Sequence, residues 1–198
     1  MHNMPMVIHK KAGTERAMDL GSILHEERTI FICNQVDEAL ANIVVSQLLT
    51  LAHNDPKKDI NMYICSPGGS VVHGLAIYDA MHMIAPKVNT YCLGQCASMG
   101  AFLLSGGTGK RMAQPSSRIM IHQPLGGAEG QASDIEITAN EIIRLKKFLN
   151  TEIAKHTGKT YEEIVRSTDR DNFMSAEEAV AFGLIDEVGV SSHSVDRR

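Results

Sequence analysis

The sequence predicts an α/β fold, because short runs rich in β-forming residues alternate with helical patterns along the chain. Strands that alternate with helices favour parallel pairing, since each helix returns the chain to the same edge of the sheet through a right-handed crossover. The predicted strands cover residues 29–33, 61–65, 89–93 and 118–121, and the predicted helices cover residues 38–52 and 71–84 and a segment that begins at Ser98.

Length and composition agree with one compact domain. The chain has 198 residues, of which 43% are hydrophobic and 21% charged, which is enough to bury a substantial core. Because the sequence has no internal repeat or low-complexity tract, we expect residues 1–198 to form a single domain. The formal net charge is -4 and basic residues are scattered among acidic ones, so binding to a nucleic-acid backbone is not favoured.

Hydrophobic patterning also bears on location. The most apolar stretch, residues 40–52, contains polar residues and is shorter than the roughly 18 uncharged residues of a membrane span, so it predicts a buried helix. The first 20 residues carry charges and no continuous apolar run, so we expect no secretory signal and a cytoplasmic protein. In that compartment the four cysteines are expected to be reduced core thiols: Cys33, Cys65, Cys92 and Cys96.

The second half of the chain changes character after residue 121. Residues 123–131 are rich in glycine, and a long amphipathic pattern follows up to Gly158, so the segment from about 123 to 156 is expected to project from the main body. Three S/T-x-x-E motifs predict helix N-termini with capping boxes, in which the first side chain and the glutamate satisfy each other's backbone N–H groups. The motifs pair Ser133 with Glu136, Thr160 with Glu163, and Ser175 with Glu178.

Ser98 lies where a predicted strand gives way to small residues and then to an apolar helix. A serine at this position can cap the helix through its hydroxyl. The same geometry exposes the Oγ and directs helix N–H groups at developing charge, as in serine nucleophiles. The G-x-S-x-G motif of α/β-hydrolases is absent, since Cys96 occupies the first glycine position, so that fold is not supported.

A glycine-rich turn, Ser66-Pro67-Gly68-Gly69-Ser70, separates a predicted strand from a predicted helix. It is either a tight connection or a set of backbone N–H donors for a phosphate or an oxyanion. A nucleotide-binding loop is not predicted, because the Gly109-Lys110 pair lacks the remaining P-loop residues.

An imidazole and a group of carboxylates complete the candidate chemistry. His122 follows an apolar strand, where ligands gather in α/β folds, although a lone histidine there is also compatible with a structural role. Residues 168–173 form a charged turn whose acids are either solvated or functional. A hydroxyl, an imidazole and a carboxylate are the groups of nucleophilic acyl transfer, whereas the histidine and cysteine spacings predict no metal site.

The motifs at residues 66–69, 94–104, 120–127 and 169–176, in this order, resemble the proteolytic subunits of the Clp protease family over about residues 5–188. The resemblance implies a ClpP/crotonase-type spiral of ββα units with a projecting strand-helix handle at approximately 123–156. It also implies a serine endopeptidase that degrades unfolded polypeptides inside two stacked heptameric rings. A separate AAA+ unfoldase of the ClpX, ClpA or ClpC type would feed the chamber and use the ATP, so no cofactor is expected on this chain.

The resemblance assigns roles to individual residues. Ser98 corresponds to the nucleophile, His122 to the general base and Asp171 to the carboxylate that orients it. Further roles involve backbone or ring contacts: oxyanion donors at Gly69 and Met99, substrate backbone binding at Gly68, Leu125, Gly126 and Gly127, and contact between opposite rings at Asp169 and Arg170.

The sequence departs from the family pattern in places that matter for partners. Three of these departures remove no catalytic group: Cys65 and Cys96 replace other residues, and the loop at 105–110 is one residue shorter than in common members. Residues without rings stand where many members carry aromatics, several of them lining the clefts for the unfoldase's docking loop, so we expect altered or weakened affinity for the usual AAA+ partner. These residues are Met18, Thr50, Asn61 and Met112.

Two other functions share this fold. A ring subunit without catalysis could have lost any of Ser98, His122 or Asp171, but the sequence retains all three. An enoyl-CoA hydratase or isomerase would polarise a thioester with paired backbone N–H groups and would not need those three residues. Fold alone does not decide among these functions.

Overall fold

The computed structural model describes residues 5–11 and 13–189. An antiparallel hairpin of β1 (Met6–Lys11) and β2 (Thr14–Asp19) leads into α1 (Leu20–Glu26). Asp19 caps that helix by accepting the Ser22 N–H at 2.9 Å. The sequence patterns predicted neither the hairpin nor α1, because residues 5–19 carry charges and show little hydrophobic periodicity.

The main body follows the predicted alternation of strands and helices. The elements are β3 (Thr29–Ile32), α2 (Glu38–Asn54), β4 (Ile60–Ser66), α3 (Val71–Met83), β5 (Val88–Ala97), α4 (Met99–Ser105), β6 (Arg111–Ala113), β7 (Arg118–Ile121), α5 (Ala132–Thr157), α6 (Tyr161–Ser167), β8 (Asn172–Met174), α7 (Ala176–Phe182) and β9 (Glu187–Val188).

The central sheet has the order β3-β4-β5-β6-β9, and all neighbours along this path are parallel. The long strand β5 pairs with β6 through its first half and with β7 through its last residues, also in parallel. Among the described strands of this sheet, only β8 runs antiparallel to its neighbour, β7. The predicted α/β class with parallel pairing is therefore confirmed. The end of β5 pairs with β7, and β7 pairs with β8, so these three strands lie side by side.

Burial explains why α2 and α4 pack differently. Every residue of α4 is buried, so this short helix lies in the centre of the core. In α2, Ala41, Val44, Leu48 and Leu51 are buried, while Ile43 and Leu49 are exposed. The buried helix predicted at 40–52 is therefore present but buried along one face only, and its other apolar residues lie on the exposed face. Among the described residues, no helix combines the length and hydropathy of a membrane span.

Two of the three predicted capping boxes are confirmed, at Thr160 with Glu163 and at Ser175 with Glu178. The third was wrong. The long helix α5 begins at Ala132 after Gln131, whose side chain makes no capping hydrogen bond, and Ser133 lies within its first turn. The extended backbone at Gln131 places its carbonyl on the N–H groups of residues 134 and 135, so the helix starts earlier than the motif indicated.

The cysteines divide into two pairs. Cys92 and Cys96 are buried in β5, as predicted, but Cys33 and Cys65 are exposed. Successive residues of a strand point to opposite faces, so the residues after buried Ile32 and Ile64 turn away from the core. The prediction of core thiols was therefore wrong for Cys33 and Cys65.

The segment that joins β7 to α5 is open to solvent. All residues from 125 to 137 are exposed, whereas Leu149, Asn150 and Ile153, in the second half of α5, are buried against the main body. The first half of α5 also exposes Ile137 and Ile143.

Candidate active site

Ser98 occupies the turn between β5 and α4 in a backbone conformation that L-residues rarely adopt, with φ at 55°. Two backbone hydrogen bonds hold this turn: the Ser98 N–H donates to the Met120 carbonyl at 2.8 Å, and its carbonyl accepts from the Phe102 N–H at 3.0 Å. Its side chain does not cap α4, so that interpretation of Ser98 was wrong. The Oγ instead lies 2.8 Å from His122 Nε2.

His122 connects the serine to a carboxylate. It follows β7 directly, and its Nδ1 lies 3.1 Å from Asp171 Oδ1. The imidazole is 14% exposed, whereas the Asp171 side chain is 61% exposed, so the serine and imidazole are more sheltered than the carboxylate. Ser98, His122 and Asp171 thus form one continuous line of hydrogen-bond partners.

The pairing of β7 with β8 explains why Asp171 reaches His122. Ile121 pairs with Asn172 in antiparallel register, so the residues beside that pair, His122 and Asp171, lie next to each other. Of the charged turn at 168–173, Asp169 and Arg170 remain exposed, with Arg170 Nε 3.9 Å from Asp169 Oδ2. All three charged residues of this turn face solvent, and Asp171 differs from the other two because its carboxylate also contacts His122.

Gln123 is a structural partner of the site that the sequence analysis did not single out. Its backbone N–H donates to the Thr168 carbonyl at 2.6 Å, and its Nε2 donates to the Asp169 carbonyl at 2.8 Å. Its Oε1 accepts from Lys146 Nζ at 2.7 Å. Gln123 therefore fastens the turn that carries Asp171 to the strand end that carries His122. Its position beside His122 was the only sequence indication, because the contacted turn is 46 residues away.

The glycine-rich loop after β4 lies directly against the Ser98 turn. Gly68 has φ at 93°, and a Cβ there would lie 2.6 Å from Ser98 Cβ, so glycine is required for this approach. Ser66 Oγ accepts from the Gly68 N–H at 3.1 Å and donates to the Asn34 carbonyl at 2.6 Å. The Gly68 carbonyl accepts from the Val36 N–H at 2.8 Å. The loop is thus fixed by the segment that follows β3.

Gly69 and Met99 place backbone N–H groups beside the serine. Gly69 forms a parallel bridge with Val36 and lines the same cleft as Ser98. Met99 is the first residue of α4, so its N–H belongs to the first turn, where amides have no partner within the helix. The Met99 N–H therefore lies next to Ser98 without a partner inside the helix, and the oxyanion role of Gly69 and Met99 stays a prediction.

Comparison with known families agrees with this architecture. A family model described as Clp protease matches residues 12–192, which is nearly the whole chain. The chain belongs to the Clp protease family. Membership in this family makes the chain a Clp-type protease subunit, and the mixed α/β fold with its mostly parallel sheet is consistent with the Clp protease fold. In the residues that the structure describes, no group of three or more His, Cys, Asp or Glu side chains could hold a metal ion.

In this Clp protease subunit, a cleft of about 570 Å³ opens over Ser98 and His122. Leu125 lines its edge and is 84% exposed, while Gly126 packs against the side chain of Ile142 in α5. A second, small apolar pocket lies beneath the serine between α4 and α5 and is lined by Val71, Met99, Phe102, Ile121, Leu149 and Ile153. An extended chain crossing the cleft would therefore pass the serine with an apolar recess beside it.

Proposed function

We propose that this protein is the proteolytic subunit of an ATP-dependent Clp protease, a serine endopeptidase that cuts unfolded polypeptides into short peptides. The observation that carries the proposal is the continuous contact from Ser98 Oγ through His122 to Asp171, at the floor of an open cleft. A nucleophile, a base in hydrogen-bond reach and a group that orients the base are the requirements of nucleophilic acyl transfer.

In the first half of the reaction, Ser98 Oγ attacks the peptide carbonyl carbon while His122 Nε2 takes the hydroxyl proton. The N–H groups of Gly69 and Met99 stabilise the oxyanion of the tetrahedral intermediate. His122 then gives its proton to the leaving amine, the C–N bond breaks, and an acyl ester remains on Ser98. In the second half, His122 takes a proton from water, the hydroxide attacks the ester, and Ser98 leaves as the restored hydroxyl.

Asp171 fixes the imidazole for both halves. A hydrogen bond from the His122 Nδ1–H to Asp171 Oδ1 leaves Nε2 unprotonated and directed at Ser98. The carboxylate also stabilises the imidazolium that forms in each transition state. Asp171 therefore acts on the tautomer and orientation of the base and takes up no proton itself.

The cleft suggests how substrate binds. We propose that the backbone of Leu125, Gly126 and Gly127 aligns an extended polypeptide by strand addition. Main-chain hydrogen bonds give affinity with little choice of sequence. The exposure of residues 125–127 supports this proposal, and broad cleavage of unfolded chains follows from it. The expected substrate contact of Gly68 was wrong, because Gly68 is buried and its N–H and carbonyl already bond Ser66 Oγ and the Val36 N–H.

Assembly and partners belong to the same proposal. We propose two stacked heptameric rings joined through exposed Asp169 and Arg170, and a separate AAA+ unfoldase that uses the ATP. In the region of the expected docking cleft, Phe31, Tyr63 and Tyr91 stack with centroids 5.3 and 4.8 Å apart.

Asn61 introduces polarity beside this stack, because its Oδ1 accepts from Tyr91 Oη at 3.3 Å and from Asn89 Nδ2 at 3.2 Å. This arrangement supports weakened affinity for the usual partner. Normal peptide hydrolysis together with normal binding of the unfoldase would contradict it.

A serine-directed probe tests the catalytic proposal. After treatment with a fluorophosphonate, intact-mass analysis is expected to show a single adduct on the wild type and none on Ser98→Ala or His122→Ala. Ser105→Ala is the matched control, since Ser105 is buried at the other end of α4, and it should react like the wild type. An assembled double ring without any adduct would instead indicate a catalytically silent or partner-activated subunit.

The ring contact has its own test. Arg170→Ala removes the cation expected to bridge the rings, so native mass spectrometry should show single rings, and peptide hydrolysis should fall with the loss of stacking. Lys147→Ala, at another exposed position, is the control. A fully active, intact double ring in Arg170→Ala would contradict the stacking role.

A further inference from the structure

Cys33 and Cys65 stand side by side at the ends of two neighbouring strands. The parallel register of β3 and β4 pairs Ile32 with Ile64, and the two cysteines are the next residues of their chains. One residue further on, Ser66 Oγ donates to the Asn34 carbonyl at 2.6 Å. The two backbones therefore remain adjacent on both sides of the cysteines.

This placement suits a disulfide bond. Neighbouring strands lie about 4.8 Å apart, within the roughly 4.4–6.8 Å that separates the Cα atoms of bridged cysteines. Both side chains are exposed, while Ile32 and Ile64 are buried on the opposite face, so the two thiols share one face of the sheet. Gly94 of β5 lies against Cys65 Sγ and contributes no side chain that could cover it.

We propose that Cys33 and Cys65 are a modification site at which hydrogen peroxide closes an intramolecular disulfide bond at the base of the Gly68–Gly69 loop. One thiolate attacks a peroxide oxygen, the O–O bond breaks, and a sulfenic acid forms as hydroxide leaves. The second thiol attacks the sulfenic sulfur, the S–S bond forms, and water leaves. Two thiols are oxidised and one peroxide is reduced to two waters.

The environment of Cys33 indicates the order of these steps. Partial burial, with a smaller contribution from Cys65, raises the pKa of the Cys33 thiol. A raised pKa lowers the fraction of thiolate, which is the attacking species. We therefore expect Cys65 to attack the peroxide first and Cys33 to close the disulfide.

The buried pair in β5 serves as a comparison within the same chain. Cys92 and Cys96 are inaccessible, and Cys96 Sγ donates to the Ile64 carbonyl at 3.4 Å. Burial raises the pKa of Cys96, so both its protonation and its position oppose oxidation. A small oxidant should distinguish the exposed pair from the buried pair in the folded protein.

The proposed bond lies next to the parts that hold the candidate oxyanion loop. Cys33 precedes the segment of Asn34 and Val36, and Cys65 precedes Ser66 and Gly68, which that segment binds. A covalent link would restrict the movement of these two segments relative to each other. This consequence rests on the proposed function, and we expect oxidation to lower peptide hydrolysis several-fold and a dithiol reductant to restore it.

The test uses the full-length reduced protein, hydrogen peroxide, alkylation of the remaining thiols and peptide mapping without reduction. The expected product is a peptide pair linked through Cys33 and Cys65, with Cys92 and Cys96 alkylated only after unfolding. Cys33→Ser and Cys65→Ser are matched variants, each of which should yield no linked peptide and should keep its hydrolysis rate under mild oxidation. The linked product should disappear on treatment with dithiothreitol.

Four results would overturn the proposal: unreacted Cys33 and Cys65, a Cys92–Cys96 link, links only between subunits, or irreversible oxidation of one thiol without a link. A disulfide that leaves wild-type hydrolysis unchanged would contradict the coupling to the loop. The mass readout does not depend on catalysis. A protein that forms the disulfide but never hydrolyses peptides would therefore refute the proposed function and still support the proposed disulfide.

Discussion

A serine–histidine contact lies at each end of the helix α4. The two contacts have similar lengths but differ in exposure and in the group at the second ring nitrogen. At its N-terminus, Ser98 Oγ lies 2.8 Å from His122 Nε2 at the floor of an open cleft. At its last residue, Ser105 Oγ lies 3.1 Å from His156 Nδ1 in the interior. The comparison shows which features beyond a hydrogen bond a candidate nucleophile needs.

The second ring nitrogen separates the two histidines. His122 Nδ1 faces the carboxylate of Asp171, whereas His156 Nε2 faces the hydroxyl of Tyr78 at 2.9 Å. Burial lowers the pKa of His156 to about 4, so this ring is neutral and is a poor proton acceptor at neutral pH. A carboxylate at the second ring nitrogen and a serine that lines an open cleft are therefore the features that distinguish the candidate site from the structural contact, since Ser105 is buried.

The buried contact stabilises the helix that carries Ser98. Tyr78 of α3 also lies 3.2 Å from Glu152 Oε2 of α5, so α3, α4 and α5 share one polar cluster. Arg111 closes the cluster from β6 by donating to the carbonyls of Ser105 and His156 and by pairing with Asp186. The hydrogen-bonded cluster at the C-terminal end of α4 thus stabilises the helix whose N-terminal end carries the candidate site.

Replacing the two serines should produce the largest contrast. Ser98→Ala removes the nucleophile and should lower kcat for a fluorogenic peptide by about 10⁴-fold or more. Ser105→Ala removes only a buried hydroxyl that contacts Phe102 and His156, so its kcat should stay within about threefold while stability falls by about 1 kcal/mol. Equal losses of kcat in the two variants would show that this assignment of roles is wrong.

Changing the partner of each imidazole should give the next largest effect. Asp171→Asn keeps the shape of the side chain but favours the wrong tautomer of His122, and it should lower kcat/KM by about 10⁴-fold. Tyr78→Phe removes the hydroxyl at His156 and should leave kcat/KM nearly unchanged. Steady-state kinetics on both variants checks this, and an Asp171→Asn enzyme with normal kcat/KM would exclude the orienting role.

Acid should destabilise the protein through the buried histidine. The pKa of His156 is about 4 in the folded state and 6.5 in the unfolded chain, so the unfolded state takes up the proton first as pH falls. Its contribution is fully present above about pH 6.5 and is lost progressively towards pH 4, up to roughly 3 kcal/mol.

Thermal unfolding measured between pH 7.5 and 5 tests this pH dependence. His156→Gln cannot take up a proton and should show a smaller decrease in Tm over this range, whereas His53→Gln, at an exposed position of α2, should follow the wild type. The same decrease in all three proteins would assign the acid sensitivity to other groups.

The smallest effect is expected at Gln123. Gln123→Ala frees the turn that carries Asp171, and we expect kcat to fall about tenfold with little change in KM, because the base loses alignment while the cleft keeps its shape. Lys146→Met removes only the contact to Gln123 Oε1 and should lower kcat less. A change in KM alone would indicate a role in substrate binding instead of positioning.

Local sequence patterns were sufficient for much of the fold. The alternation of strands and helices predicted the parallel sheet, and the motifs at Thr160 and Ser175 predicted two helix starts, because those hydrogen bonds span three residues. The same kind of motif was misleading at Ser133, where the extended backbone at Gln131 set the start of α5. The hairpin β1–β2 was missed, since its exposed strands carry little hydrophobic periodicity.

The sequence by itself determined the class of fold, the family resemblance and the chemical groups available at Ser98, His122 and Asp171. Only the tertiary structure decided that they meet, since the contacts join residues 24 and 49 positions apart. It also decided that Gln123 fastens the Asp171 turn and that Cys33 faces solvent. Local patterns record hydrogen bonds within a few residues, whereas strand order and register determine which distant side chains become neighbours.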